Sequence, residues 1–155
     1  MMSWLTGRDI TDKIRYNASP TVLDMFSGIY SIDTLPKTIF HYPVFIVINT
    51  HTKNLPGEHW KAILIKEDRS AEVFDSLASQ LNVHTENWLN KYTRRWKTNA
   101  QACQHPLSAT CGAYVLYFIL NRLKYSTFEI FMMKNFSSNV LVNERMINTF
   151  YNNLY

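Results

Sequence analysis

An α+β fold, with a small mixed β-sheet packed against one buried helix and further helices flanking it, is predicted by three stretches of the sequence. Val44 to Ile48 is a short β-branched run bounded by turn residues, which suits a buried strand better than a helix. Trp60 to Ile65 and Ala71 to Phe74 are extended patterns on either side of the charged segment Lys66 to Ser70, and together they read as a β-hairpin. Ala113 to Leu120 is apolar almost without interruption, so a helix there has no polar face and must be enclosed.

The other elements follow in chain order. Thr6 to Arg15 predicts a short helix, with Thr6 as its N-cap and Ile10 and Ile14 four apart on one face. Asn17 to Pro20 breaks it. A second helix is expected over Thr21 to Phe26, ended by Ser27-Gly28. Gly28 to Pro36 reads as a polar connection and Thr50 to Gly57 as a loop. Val83 to Trp96 predicts a helix that gathers Trp88, Leu89, Tyr92 and Trp96 on one face, with Lys91, Arg94, Arg95 and Lys97 mostly elsewhere. A further strand is expected over Lys97 to Cys103. The enclosed helix should run from Ala113 to Tyr125, and a last helix from Ser138 to Leu154. In that last helix Val140, Ile147, Phe150, Tyr151 and Leu154 recur at helical spacing and read as core.

Composition bounds the class. The chain has 155 residues, 46% of them hydrophobic and 14% aromatic, with four Gly and five Pro. That is a folded chain, expected to form one domain burying roughly two thirds of its unfolded surface. The opening residues do not resemble a signal peptide, and the longest apolar run falls far short of the ~18 residues that would indicate a membrane span. Cys103 and Cys111 lie eight apart and cannot staple a chain of this size, which points to a reducing compartment. The net charge of +4 permits contact with nucleic acid without requiring it.

The stretch QHPLSATCGAYVLY, Gln104 to Tyr117, carries the chemistry. A polar loop ends at Cys111-Gly112, setting Cys111 at the first turn of the enclosed helix. Unpaired backbone N–H groups and the positive end of the helix dipole stabilise a thiolate there, and Gly112 leaves room for a substrate backbone beside the sulfur. Taken alone, Cys111 is as readily a packing residue, because free cysteines are commonly buried. The hairpin supplies the partners. With its turn near Glu67 or Asp68, the residue facing His59 falls at about 75 to 78, so Asp75 comes within roughly one residue of His59. A carboxylate so placed holds the imidazole's tautomer and stabilises its cation. Nucleophilic catalysis also needs donors aimed at the tetrahedral oxyanion; the N–H of Cys111 and the side-chain amide of Gln104, seven residues upstream, are candidates. Zinc ligation by Cys103, His105 and Cys111 with His51 or His84 is the weaker reading, because the spacing matches no common structural site and leaves His59 and Asp75 unexplained. No metal and no cofactor is expected. His41, His51, His84 and His105 read as surface or loop residues, and Cys103 as a packing residue at a strand end.

Gly57-Glu58-His59-Trp60, Phe74-Asp75-Ser76-Leu77 and Gln104-x-Pro106-x-Ser108-Ala109-x-Cys111-Gly112 resemble the His-Trp, acidic and Gln…Cys-Gly motifs of the adenovirus endopeptidase (adenain) and of the proteases that process ubiquitin-like modifiers. The resemblance runs at least from Ile29 to Tyr117, and the seven-residue step from Gln104 to Cys111 is similar to adenain. It implies an adenain-like cysteine protease domain over residues 1–155. His59 would be the base, Asp75 the orienter, Cys111 the nucleophile and Gln104 the oxyanion donor. Trp60 would wall a narrow substrate channel, with Gly57 and Gly112 also on the substrate side. By the same resemblance the chain matures viral capsid or core precursors at Gly-x or Gly-Gly sites, as a monomer with no membrane partner. It would act in the infected host's virus factory or nucleus and in the virion, and it looks closest to proteases of virophages and Polinton-like or adintovirus elements. Adenain's activating peptide pairs with an upstream cysteine, whereas the matching region here holds Thr93 and no thiol, leaving activation by DNA open. Two other readings stand beside it. One is an isopeptidase acting on a ubiquitin-like protein; the other is a basic module binding DNA weakly through Lys91, Arg94, Arg95 and Lys97.

Overall fold

Three strands with no exposed position form the middle of a five-stranded sheet in this computed structural model, which describes residues 4–51 and 59–155. They are β2 (Val44–Asn49), β3 (Trp60–Ile65) and β4 (Ser70–Phe74). At the edges lie β1 (Phe26–Ser31), parallel to β2, and β5 (Arg95–Thr98), parallel to β4; the central pairs are antiparallel and the order is β1-β2-β3-β4-β5. The helices among the described residues are α1 (Gly7–Asn17), α2 (Pro20–Met25), α3 (Val83–Tyr92), α4 (Cys111–Asn121), α5 (Phe128–Asn135) and α6 (Val140–Asn152), with a 3-10 turn over Arg122–Lys124. This is a mixed α+β fold.

Period-two alternation sorts the two faces of the sheet. Phe45, Val47, Ala62, Leu64 and Phe74 join the core that contains α4, whereas Val44, Ile46, Ile48, Ile63, Ile65, Ala71 and Val73 pack with Trp88 and Leu89 of α3. Helix α4 is enclosed as its composition requires, lying among β3, α1 and α6 with Ala113 to Leu116 almost wholly buried. Thr6 caps α1 through a reciprocal capping box with Asp9.

Several expected elements change. The Gly28 to Pro36 connection begins as β1, whose register shifts between Phe26 and Gly28; Gly28 has φ +143, a conformation open to glycine and strained for other residues. The helix expected as far as Trp96 stops at Tyr92. Thr93 caps it in an extended conformation, and Arg95 to Thr98 pair with Ser70 to Val73 as β5, so the open edge of β4 outweighs the helical spacing of Trp96. The strand expected over Lys97 to Cys103 is corrected to Arg95–Thr98, sharing only Lys97 and Thr98 with it, and Cys103 lies in the following loop. Helix α5 lies outside the elements expected from the sequence and starts where the Thr127 side chain accepts the Ile130 N–H.

Glu72 is the charged residue in the middle of β4, and a bidentate pair accounts for it. Arg122, just past α4, donates from Nε to Glu72 Oε1 at 2.7 Å and from Nη2 to Oε2 at 2.8 Å, with both residues buried. This fixes the far end of α4 along the sheet, and hence the position of Cys111 at its near end. Arg122→Ala strips the buried Glu72 carboxylate of its bidentate partner, leaving the half-exposed Lys66 Nζ 3.7 Å from Oε2, and is expected to cost about 3 kcal/mol, whereas the double change Glu72→Leu/Arg122→Met should be nearly neutral. Urea unfolding of the two proteins checks this.

Candidate active site

Cys111 is the first residue of α4 and follows a loop anchored from below. The carbonyl of Cys103, at one end of that loop, accepts from Asn143 Nδ2 of α6 at 3.0 Å and lies 3.0 Å from Tyr114 Oη. At the other end, Thr110 Oγ1 donates to Glu144 Oε2 at 3.0 Å, an oxygen that Tyr114 Oη approaches to 2.6 Å. Helix α6 thus holds both ends of the segment that carries Gln104. Cys111 has no exposed surface.

His59 immediately precedes β3 and Asp75 immediately follows β4. The register Ala62↔Phe74, continued one step, sets Lys61 opposite Asp75, so His59 lies two residues farther along on the same face. Residue 77 falls opposite His59, within the expected 75 to 78, while the expected one-residue offset of Asp75 becomes two: the pair meet diagonally, and the residue facing Asp75 is Lys61. His59 Nε2 is 2.5 Å from Asp75 Oδ1, and the Cys111 side chain is near enough to raise the ring's pKa. His59 thus has the carboxylate as its hydrogen-bond partner and the thiol in its vicinity.

Asp75 is heavily solvated by protein groups. Oδ1 accepts from the N–H of Leu77 at 2.9 Å; Oδ2 accepts from the N–H of Ser79 at 2.9 Å and its hydroxyl at 2.5 Å, and lies 3.2 Å from the buried Lys61 Nζ. The Asp75 backbone is clamped in turn, donating to Asn99 Oδ1 at 2.8 Å and accepting from Asn99 Nδ2 at 2.7 Å. Lys61, Ser79 and Asn99 escape a motif reading because they act on Asp75 rather than on a substrate, although a lysine inside an otherwise apolar strand is a signal in hindsight.

The electrostatics follow. Burial alone would push Asp75 up, but the hydrogen bond and charge of His59, then Lys61 and Ser79, hold it well below the usual carboxylate range. Burial pulls His59 down, yet the hydrogen bond to Asp75, the Cys111 side chain and the charges of both raise it from its ordinary 6.5 to about 9. His59 is thus an imidazolium through neutral pH. With a raised folded value, its stabilising contribution is complete below about 6.5 and is lost as pH rises through about 9. Asp75, with a depressed value, contributes above its ordinary 3.8 and loses that contribution under acid. The melting temperature of the wild type relative to His59→Ala should therefore decline between pH 6.5 and 9 and be level from pH 5 to 6.5.

Gln104 is buried, its Oε1 2.5 Å from the Ser76 hydroxyl and its Nε2 donating to the Ser108 carbonyl at 3.0 Å. Trp60 is buried in the α4-side core and donates from Nε1 to the Leu5 carbonyl at 2.9 Å. On the side of Gly112 where a Cβ would sit, Leu5 fills the space expected for a substrate backbone, its atoms 3.0 to 3.3 Å from the position that Cβ would take. Gly57 lies outside the described residues. Cys103 is buried, which pushes its thiol up and away from the thiolate. His105 accepts the Leu107 N–H at 3.1 Å within its own loop. In the basic segment, Arg95 lies 3.4 Å from Asp68 and Lys97 2.5 Å from Glu129, while Lys91 stacks on Tyr92. Two of the four cations are thus offset by carboxylates.

Neither a protein-family model nor a curated protein matches the sequence. Solved structures match in fold. A crystal structure of the ASFV pS273R protease superposes with a TM-score of 0.61 at 19% identity, over 92% of this chain and 66% of that one. The selenomethionine form of the same protein gives 0.48 at 22%, over 65% and 42%. The central domain of the Legionella pneumophila protein Lpg1148, described as uncharacterized, gives 0.54 at 14%, over 96% and 93%. The chain therefore spans less than two thirds of the length of either form of the protease, and the likeness is one of fold.

Proposed function

We propose that the chain is a cysteine endopeptidase, with Cys111 as nucleophile, His59 as base and acid, Asp75 as orienter and Gln104 as oxyanion donor. The observation that carries this is the placement of His59 against the Asp75 carboxylate and in the vicinity of the Cys111 thiol at the start of a buried helix. The fold shared with a protein described as a protease supports it. In the reaction the sulfur, its proton passed to His59, attacks the scissile carbonyl, forming a C–S bond and an oxyanion that takes hydrogen bonds from the Cys111 N–H and the Gln104 amide. The imidazolium of His59 donates its proton to the departing amine as the C–N bond breaks. Water, deprotonated by His59, then hydrolyses the thioester and restores the thiol. Asp75 keeps the ring oriented through both transfers.

The sequence resemblance carries the finer reading: capsid or core precursors of a virophage-like or Polinton-like element, cut at Gly-x or Gly-Gly. An isopeptidase would use the same machinery, and weak DNA binding by Lys91 and Arg94 would be an accessory property. Because Cys111 has no exposed surface, a substrate carbonyl reaches it only by displacing what covers it. The test is to incubate the protein with candidate precursors and with a fluorogenic substrate carrying a modifier tail, and to map the new N-termini. Cleavage after glycine in a precursor supports endopeptidase maturation; cleavage of the modifier tail alone reassigns the chain to the isopeptidases. Failure of both, together with no alkylation of Cys111 by a peptide ending in an electrophilic glycine, overturns the protease reading.

A further inference from the structure

We propose that Ser76 is a positioning residue for the oxyanion donor, its hydroxyl holding the Gln104 amide in the orientation that keeps an N–H free for the reaction; this rests on the cysteine-protease reading above. Ser76 follows Asp75 directly and is 1% exposed. It grips residue 104 twice. Its hydroxyl donates to Gln104 Oε1 at 2.5 Å, and its carbonyl accepts the Gln104 N–H at 3.0 Å as well as the Cys103 N–H at 2.8 Å.

The chemistry of a primary amide makes this arrangement directional. Nε2 has two protons, and the Ser108 carbonyl takes one of them. A flipped amide would turn Oε1 toward that carbonyl, setting two acceptors face to face, so the Ser108 oxygen sets the orientation. The Ser76 hydroxyl then stabilises it, because an O–H directed at Oε1 draws electron density through the conjugated amide and strengthens the remaining N–H as a donor. With Ser76 removed, a buried amide oxygen loses its donor, and the side chain is held through Nε2 on the Ser108 carbonyl alone.

The contact also joins two halves of the site. One turn, residues 75–79, presents the carboxylate that orients the base and the hydroxyl that orients the oxyanion donor; Asn99 clamps its start and Ser79 closes it onto Asp75. Positioning of His59 and of Gln104 therefore shares one anchored segment.

A kinetic cycle and a spectroscopic signal test the proposal. Gln104→Ala should lower kcat by about 10²-fold, the scale of one oxyanion donor. Ser76→Ala should lower kcat by about 10-fold with KM unchanged, and Ser76→Ala/Gln104→Ala should be no slower than Gln104→Ala alone. Losses that multiply, or a Ser76→Ala effect confined to KM, would overturn the role. Independently of any peptide cleavage, the ¹⁵N-labelled side-chain amide of Gln104, assigned by its disappearance in Gln104→Ala, should show two well-separated, slowly exchanging protons in the wild type. Ser76→Ala should bring them together and speed their exchange. A wild-type signal exchanging as fast as a surface glutamine would defeat the proposal without recourse to any Ser76 variant. A protein that cuts no substrate would count against the protease reading, while the amide signal still decides the Ser76 contact.

Discussion

Cys111→Ala is expected to abolish peptide cleavage altogether while shifting the melting temperature by only a few degrees. The sulfur forms the covalent bond between protein and substrate in the proposed reaction, and the described residues of the same loop offer no substitute: Cys103 has its thiol pushed up, and Ser108 and Thr110 are already engaged with each other and with Glu144. The fold should tolerate the change, because alanine is the best helix former and the volume lost is small. The variant also carries an electrostatic signature. Two of the influences raising His59 come from Cys111, so its titration should move down from about 9 while the contact with Asp75 persists. Ring-proton NMR across pH 5 to 10 measures this. A His59 titration unchanged by the loss of the thiol would mean that ring and sulfur do not interact, and cleavage by the alanine variant would remove Cys111 from the chemistry.

His59→Ala should reduce turnover by on the order of 10⁴-fold or more, the range seen when a nucleophile loses its base. Both proton transfers pass through the ring, so kcat should fall with little change in KM. The site around the deleted ring should persist. Asp75 keeps its hydrogen bonds to Leu77 and Ser79 and its ion pair with Lys61, so the carboxylate is not left as a bare buried charge. Circular dichroism and thermal melting beside the kinetics separate loss of chemistry from loss of fold. An activity within tenfold of the wild type would show that His59 is not the base.

Much of this site was legible in the chain because its signals are local. A charged turn between two extended runs sets a hairpin, and a hairpin's register brings His59 near Asp75 whatever surrounds it. A polar loop running into an apolar segment sets a helix start, and with it Cys111. What escaped was the work of groups outside the motifs. Trp96 has helical spacing with Trp88 and Tyr92, yet pairs in β5 because Ser70 to Val73 offer backbone groups that need partners. The two-residue offset between His59 and Asp75 depends on where the Lys66 to Arg69 turn closes, with Arg69 at φ +66, which side-chain pattern does not reveal.

By itself the sequence determined which segments must be buried and which residues could perform acyl transfer, since apolar periodicity and the reactivity of thiol, imidazole and carboxylate belong to the residues themselves. Only the tertiary structure decided that Lys61 faces Asp75, that Arg122 grips Glu72 from the end of α4, that Leu5 fills the side of Gly112, and that Ser76 holds Gln104. Each of these pairs residues far apart in the chain, and long-range contacts are selected by packing and by the cost of leaving buried polar groups unpaired, neither of which is written in any short stretch of sequence.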